Sequence, residues 1–162
     1  MPSTDAAAGP QPATVSLDPV SSDDREMFVA MALRYFRELN PDFVAQEDWG
    51  RHFWEGLTGN PRLHLCWILT NRQRVGFILF GVEEHLFLPR RAGVVYELYI
   101  LPEFRLCGIA RASAKQAMGV MQSLGASKLQ LEIMADNVKA AAFWKSLGFS
   151  KFAERWVLTQ KD

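Results

Sequence analysis

Arg105, Gly108 and Ala110 stand in the spacing Arg-x-x-Gly-x-Ala, after an apolar, β-favouring run that ends at Pro102 and before a segment with helical periodicity. Gly108 has no Cβ and Ala110 only a methyl, so a ligand can approach the main chain closely. The first N–H groups of a helix have no partner inside it and carry the positive end of its dipole. Strand, small-residue turn and helix start together form an anion site, most often for phosphate. Two familiar phosphate loops are excluded. A Walker loop needs Gly-Lys-Ser/Thr, which does not occur, and the dinucleotide fingerprint Gly-x-Gly-x-x-Gly fails at Ala110 and Ser113.

The flanks narrow the assignment. Leu98-Tyr99-Ile100-Leu101-Pro102-Glu103-Phe104 leads into the loop, and Leu131-Glu132-Ile133 opens a second stretch. That stretch runs through Asn137 and Ala140 to Phe143-Trp144-Lys145-Ser146-Leu147-Gly148-Phe149. In order and separation the two resemble the signatures of the GCN5-related N-acetyltransferases, the GNAT superfamily. The first is similar to the coenzyme-A loop behind its strand, the second to a strand, an Asn and a helix closing in Leu-Gly-Phe. Together they span Val94 to Phe149, roughly a third of the chain.

The resemblance implies an α/β (α+β) GNAT fold: a mixed central sheet whose parallel fourth and fifth strands splay apart, flanked by about four helices. It implies acetyl-CoA (or coenzyme A) as co-substrate, with no metal. Main-chain groups of Leu98, Tyr99, Ile100 and Leu101 would meet the pantetheine arm, beside a bulge that leaves backbone groups outside the ladder. Amides of Arg105, Leu106, Cys107, Gly108, Ile109 and Ala110 would cradle the pyrophosphate. Arg105, Arg111 and Lys115 would add charge, the last two sharing a helix face at i, i+4. Asn137, Phe143 and Trp144 would border the arm.

The implied reaction is direct attack of a primary amine on a thioester carbonyl in a ternary complex. A lysine-like amine has a pKa near 10.4, so a proton must leave before attack. Glu97 is the candidate base. A surface or ion-paired glutamate is the competing reading, and Glu83, Glu84 and His85 are rivals. Strand alternation sets Glu97 and Tyr99 on one side and Tyr96 and Leu98 on the other, without saying which side meets the acceptor. A main-chain N–H near Leu98 or Tyr99 would hold the oxyanion, a role typically worth ~3 kcal/mol. Cys107 is not read as a nucleophile: no histidine stands near it, and a phosphate loop is remote from a thioester.

One position departs from the family pattern. Where many relatives place a tyrosine that protonates the leaving thiolate, this chain has Trp144, whose indole N–H donates but lacks usable acidity. A non-catalytic acyl-CoA-binding or regulatory module is therefore the alternative reading. Phe43, Trp49, His52, Phe53 and Trp54 are candidates for the acceptor side, against the simpler reading of inter-helix packing. The acceptor is expected to be a small-molecule or peptide amine. Dimers are common in the family, and no residue here is diagnostic for a homodimer.

Composition sets outer bounds. The chain has 162 residues, with 18 basic and 18 acidic side chains balancing to zero. That length suits one domain and buries enough surface to fold without staples. The balance gives no global footprint for nucleic acid and argues against an aminoacyl-tRNA substrate. Cys66 and Cys107 lack metal-ligand spacing, as do His52, His64 and His85, and reduced thiols in a cytoplasm are the expectation. No apolar run is long enough to span a membrane. Residues 1–12 read as a disordered tail and 13–162 as a single acyltransferase domain.

The elements follow from periodicity. A first strand is expected over Ala13–Leu17. A helix runs to Leu39 from an Asp23–Glu26 capping box, and Asn40-Pro41 stops it. A second helix is expected over Gln46–Leu57. Strands follow over Leu63–Thr70 and Val75–Val82, joined by residues 71–74, then Val94–Leu101. A helix over Ala110–Leu124 stops at Gly125, with Ala114, Ala117, Met118 and Met121 on one face. The remaining expectations are a strand over Lys128–Met134, a helix over Asn137–Leu147 and a closing strand over Phe152–Leu158, short for the family.

Overall fold

The computed structural model describes residues 14–87 and 90–160. The tail expected over residues 1–12 lies outside them. The chain divides into two compact units, Met1–Leu131 and Glu132–Asp162.

In the larger unit β1 (Val15–Pro19), β2 (Leu63–Thr70), β3 (Gln73–Glu84), β4 (Arg91–Ile100) and β5 (Ala126–Leu131) lie side by side in chain order. Every neighbouring pair is antiparallel except β4–β5, which is parallel. This is the mixed sheet expected, with a shifted β5. β1 covers Val15–Pro19, and Ala13, where a first strand is expected to begin, lies outside the described residues; β5 runs from Ala126 to Leu131 rather than over 128–134. The β2–β3 connection shrinks to Asn71 and Arg72. Both have positive φ, 50° and 64°, the signature of a two-residue turn whose twist matches its strands. Gln73 and Arg74 thereby join β3.

Helices cover both faces. On one, α1 (Arg25–Leu39) sends Phe28 and Ala32 into a cluster with Trp67, Phe77 and Tyr99, and α2 (Trp49–Thr58) adds Trp49, Phe53 and Trp54 at its edge. Side chains alternate along a strand, so Ile78 and Phe80 point to the opposite face. Gly93 stands in register with Val82 on that face, and a Cβ there would lie 2.8 Å from Met121 Sδ. Met121 belongs to α3 (Ile109–Ser123), which buries Ile109, Ala114, Ala117 and Met121.

The expected capping box is displaced. A 3-10 turn over Ser22–Asp24 precedes α1, so Ser21 and Asp24 pair, not Asp23 and Glu26. The Asp24 carboxylate accepts from Ser21 N–H and Oγ at 3.1 and 2.9 Å. It also takes Trp67 Nε1 at 3.2 Å and Arg74 at 2.7 Å, tying the helix start to β2 and β3. These bonds, Ser21's first, hold its carboxyl below the usual range. At the far end of α3, Gly125 has φ +90° and its N–H reaches Gln122 O at 2.9 Å, the left-handed stop expected there.

In the smaller unit α4 (Val138–Ser146) is capped by Asn137, whose Oδ1 accepts from Ala140 N–H at 3.0 Å. Trp144 is buried, its ring centroid 5.0 Å from Phe143 and 5.3 Å from Phe149. Glu132 pairs with Arg155 at 2.6 Å. The closing strand expected over Phe152–Leu158 is not formed: the described residues after α4 contain no strand, and Phe152, Trp156, Val157 and Leu158 are exposed. β-propensity marks where a strand fits, but only a ladder partner makes one.

Candidate functional site

The sheet opens where the sequence places the coenzyme strand. β3 pairs with β4 as Leu79↔Glu97 on one side of a register shift and Phe80↔Val95 on the other. Tyr96 is therefore the extra residue of a bulge in β4. The parallel β4–β5 ladder ends at Val95↔Leu131, beside that bulge. Beyond it, Tyr96 to Ile100 run on against β3 alone.

The register decides which main-chain groups face the opening. Leu101 N–H bonds Val75 O at 2.8 Å, so bonded pairs fall at 101/75, 99/77 and 97/79. Narrow and wide pairs alternate in an antiparallel ladder. Leu98 and Ile100 thus turn their N–H and C=O groups away from β3, and Tyr99 turns its own toward Phe77. Of the run Leu98–Leu101, Leu98 and Ile100 have the geometry for main-chain contacts on the open side.

Tyr99 makes its cross-element contact through its side chain. Nearly fully buried, it donates its hydroxyl to Glu38 Oε2 of α1 at 3.2 Å. Glu97 shares its face and accepts a hydrogen bond from the Tyr35 hydroxyl, also on α1. Burial pushes the Glu97 carboxyl above the usual carboxylate range, and the Tyr35 bond opposes this. Burial first, then the bond to Glu97, push the Tyr35 phenol far up, so it remains a donor. The rivals are otherwise engaged. Glu83 accepts from Tyr96 Oη at 2.5 Å, Glu84 faces Arg91 and Arg62 at 3.7 and 3.9 Å, and His85 Nδ1 accepts from Phe87 N–H at 3.2 Å.

The loop into α3 is built from unusual backbone. Leu106 has φ +61° and Gly108 φ +77° with ψ 0°, the left-handed region twice in three residues. Only glycine enters it without a Cβ penalty. No side chain caps α3, so the first N–H groups of the helix, those of Ile109 and Ala110 among them, lie at its positive end without a partner inside it. A Cβ built on Gly108 would find no atom within 4 Å. No protein atom fills the space beside Gly108, which leaves room for a ligand to approach the main chain. Leu106, Cys107 and Arg111 are exposed; Cys107 Sγ donates to Arg105 O at 3.3 Å.

Arg105 departs from expectation. Its guanidinium turns back from the loop: Nε donates to Ile100 O at 2.8 Å and Nη1 pairs with Glu38 Oε1 at 2.6 Å. Cζ lies 5.5 Å from the centroid of the Tyr99 ring. Its charge is committed to α1 and β4. Sequence reasoning missed Tyr35 and Glu38 as partners of this face, since nothing in α1's periodicity sets them apart.

The aromatic residues weighed for the acceptor side form a packed set. Trp49 and Phe53 stack at 5.0 Å, and Phe43 meets Trp49 edge-on at 5.5 Å. Trp54 packs on Phe28 at 6.0 Å. Val44, Gln46, Asp48, Trp49, His52 and Phe53 line an open groove.

The model of the acetyltransferase (GNAT) family matches residues 26–149, and the chain belongs to that family. An uncharacterised N-acetyltransferase of Methanocaldococcus jannaschii is 22% identical over 139 residues, covering 85% of this chain and 62% of that protein. N-alpha-acetyltransferase 30 of Schizosaccharomyces pombe is 31% identical over 84 residues, covering 52% of this chain and 55% of that protein. The chain thus spans about six-tenths of the length of the curated relatives it matches. Among solved structures, aminoglycoside N-acetyltransferase AAC(6')-Iy in complex with CoA superposes with a TM-score of 0.70 at 15% identity, over 95% of this chain and 99% of that one. At that identity the likeness speaks for the fold.

Proposed function

We propose that the protein is an acyl-CoA-dependent N-acyltransferase, with acetyl-CoA as donor and a primary amine as acceptor, working by direct attack in a ternary complex. One observation carries this reading: the β4–β5 ladder ends beside the Tyr96 bulge, and the strand freed there leads through a 3-10 turn over Pro102–Phe104 and a short loop to an uncapped helix start. The outward groups of Leu98 and the outward N–H of Ile100, whose carbonyl already accepts from Arg105 Nε, suit the two amides of a pantetheine arm. Amides from Leu106 to Ala110 suit a diphosphate.

Within that reading Glu97 takes the proton from the amine, directly or through water. A carboxyl raised by burial is the better base near neutral pH, and Tyr35 fixes its orientation. The Leu98 N–H, already turned from the ladder, is the donor aimed at the oxyanion, so Tyr99's part passes from main chain to side chain. The relatives named above point to two kinds of amine, peptide N-termini and amino sugars, and the half-exposed rings of Trp49 and Phe53 offer apolar contact to either.

The test is thiol release from acetyl-CoA over a panel of N-terminal peptides, aminoglycosides and small amines. Release above background on at least one amine, lowered by about 100-fold or more in Glu97→Gln, is the expected result. Trp144 supports a second reading, a coenzyme-binding module without turnover. Tight coenzyme binding with no release on any amine would establish that one instead.

A further inference from the structure

The loop that opens α3 and the helix that carries Tyr35 are joined by one side chain. Arg105 leaves the loop at its first residue and touches three groups at once. Nε takes Ile100 O, the carbonyl on the open side of β4; Nη1 takes Glu38 of α1; the guanidinium lies against the Tyr99 ring, whose hydroxyl bonds the same Glu38. Glu38 uses one carboxylate oxygen for Arg105 and the other for Tyr99. Among the residues that follow, Leu106 and Gly108 hold left-handed backbone. Such backbone persists only when its surroundings over-determine it.

We propose that Arg105 is a positioning residue: with Glu38 and Tyr99 it clamps the mouth of the coenzyme loop to β4 and α1, so that the loop amides are set before a diphosphate arrives. This rests on the acyl-CoA reading above and reassigns Arg105 from contacting phosphate to holding the loop that does. A planar fork satisfies a carbonyl, a carboxylate and a ring face together, whereas an ammonium carries the same charge without that geometry.

A charge role and a positioning role make opposite predictions. If Arg105 served as phosphate charge, removing the Glu38 carboxylate would release it and tighten binding, and lysine would largely substitute. If Arg105 positions the loop, Glu38→Gln weakens binding although it deletes a negative charge near an anion site. Arg105→Lys weakens it although it keeps the positive one.

The experiment is calorimetric titration of coenzyme A into the full chain, Glu38→Gln, Arg105→Lys and the double variant, at two salt concentrations. Thermal unfolding of each shows that it is folded. Each single variant is expected to lose about tenfold in affinity, the worth of one charge-assisted hydrogen bond. The double variant should lose little more than either, because both break the same clamp. The salt dependence should stay that of the unsubstituted chain, since no phosphate contact is removed. A fold-only role would lower the melting temperature and leave affinity unmoved, overturning the proposal. Tighter binding by Glu38→Gln, or unchanged binding by Arg105→Lys, would overturn it too. No binding by the unsubstituted chain would instead sink the coenzyme reading, and this inference with it.

Discussion

Tyr35 of α1 donates its hydroxyl to the carboxylate of Glu97 of β4, a residue 62 positions further along the chain. The bond orients a carboxyl whose affinity for its proton has been raised by burial. Glu97→Gln keeps an acceptor for Tyr35 and deletes the base. The expected result is a turnover number lower by about 100-fold or more, the usual worth of a positioned general base, with coenzyme affinity unchanged. The same substitution has a signature in stability. A folded-state pKa above the unfolded one means the native chain holds more protons in the window above 4.5, so stability falls as pH rises through it. Glu97→Gln should therefore raise the melting temperature more at pH 8 than at pH 4. An equal shift at both would show that Glu97 does not titrate abnormally.

Tyr35→Phe tests the bond itself. The ring contacts with Phe77 and Tyr99, at 5.7 and 5.2 Å, are kept and only the donor is lost. That donor is the group lowering the Glu97 pKa against the effect of burial, so its removal moves the carboxyl further up. The acid limb of kcat/KM against pH should shift to higher pH, and the alkaline plateau should fall as well, since the carboxylate has lost the group that orients it. A limb in its original place would mean that another group governs the proton.

How far the sequence foretold this site depends on the range of each interaction. The loop from Arg105 to Ala110 was legible because its geometry is local: a helix start and a glycine with positive φ leave marks within a few residues. The stops at Gly125 and Gly148 were legible for the same reason, both having positive φ. The bulge was expected only from the family resemblance: Tyr96 is an ordinary strand residue, and only the partner register makes it the extra one. Arg105's direction was hidden too, being set by Glu38, a helix-end glutamate whose partner is chosen by the fold. The capping box slipped by two residues because Ser21 to Asp24 offer overlapping candidates and a 3-10 turn decided between them. In the segment after α4, propensity promised a strand where no ladder forms.

Gly76 tests how tightly the strand behind the opening is held. A Cβ there would lie 2.0 Å from Tyr99 O and 3.0 Å from Ile100 Cα. Both are main-chain atoms of β4, in register with Gly76 and its neighbour, so no side chain can turn aside to make room. Gly76→Ala should cost about 3 kcal/mol, the upper end for overpacking, measured by urea unfolding. Coenzyme affinity should fall with it, because Leu98 and Ile100 ride on the displaced strand. An alanine variant of native stability would mean that β3 and β4 part there at little cost.

Gly108 separates backbone strain from ligand contact. Its φ of +77° penalises any side chain, yet a Cβ would meet no protein atom within 4 Å. Gly108→Ala should cost about 1 kcal/mol of stability, the left-handed penalty alone. Asparagine tolerates that region better than other residues, so Gly108→Asn should be the most stable of the variants. Aspartate, close to it in shape, adds a negative charge beside a site proposed for a diphosphate. Both variants should bind coenzyme A more weakly than the unsubstituted chain. The aspartate variant should be the weaker by a further tenfold or so at low salt, a gap that narrows as salt screens it. Titration of the pair across ionic strength measures that gap directly. Equal affinity of the two at low salt would place the diphosphate away from this corner, and native affinity in the aspartate variant would remove the loop from the binding site.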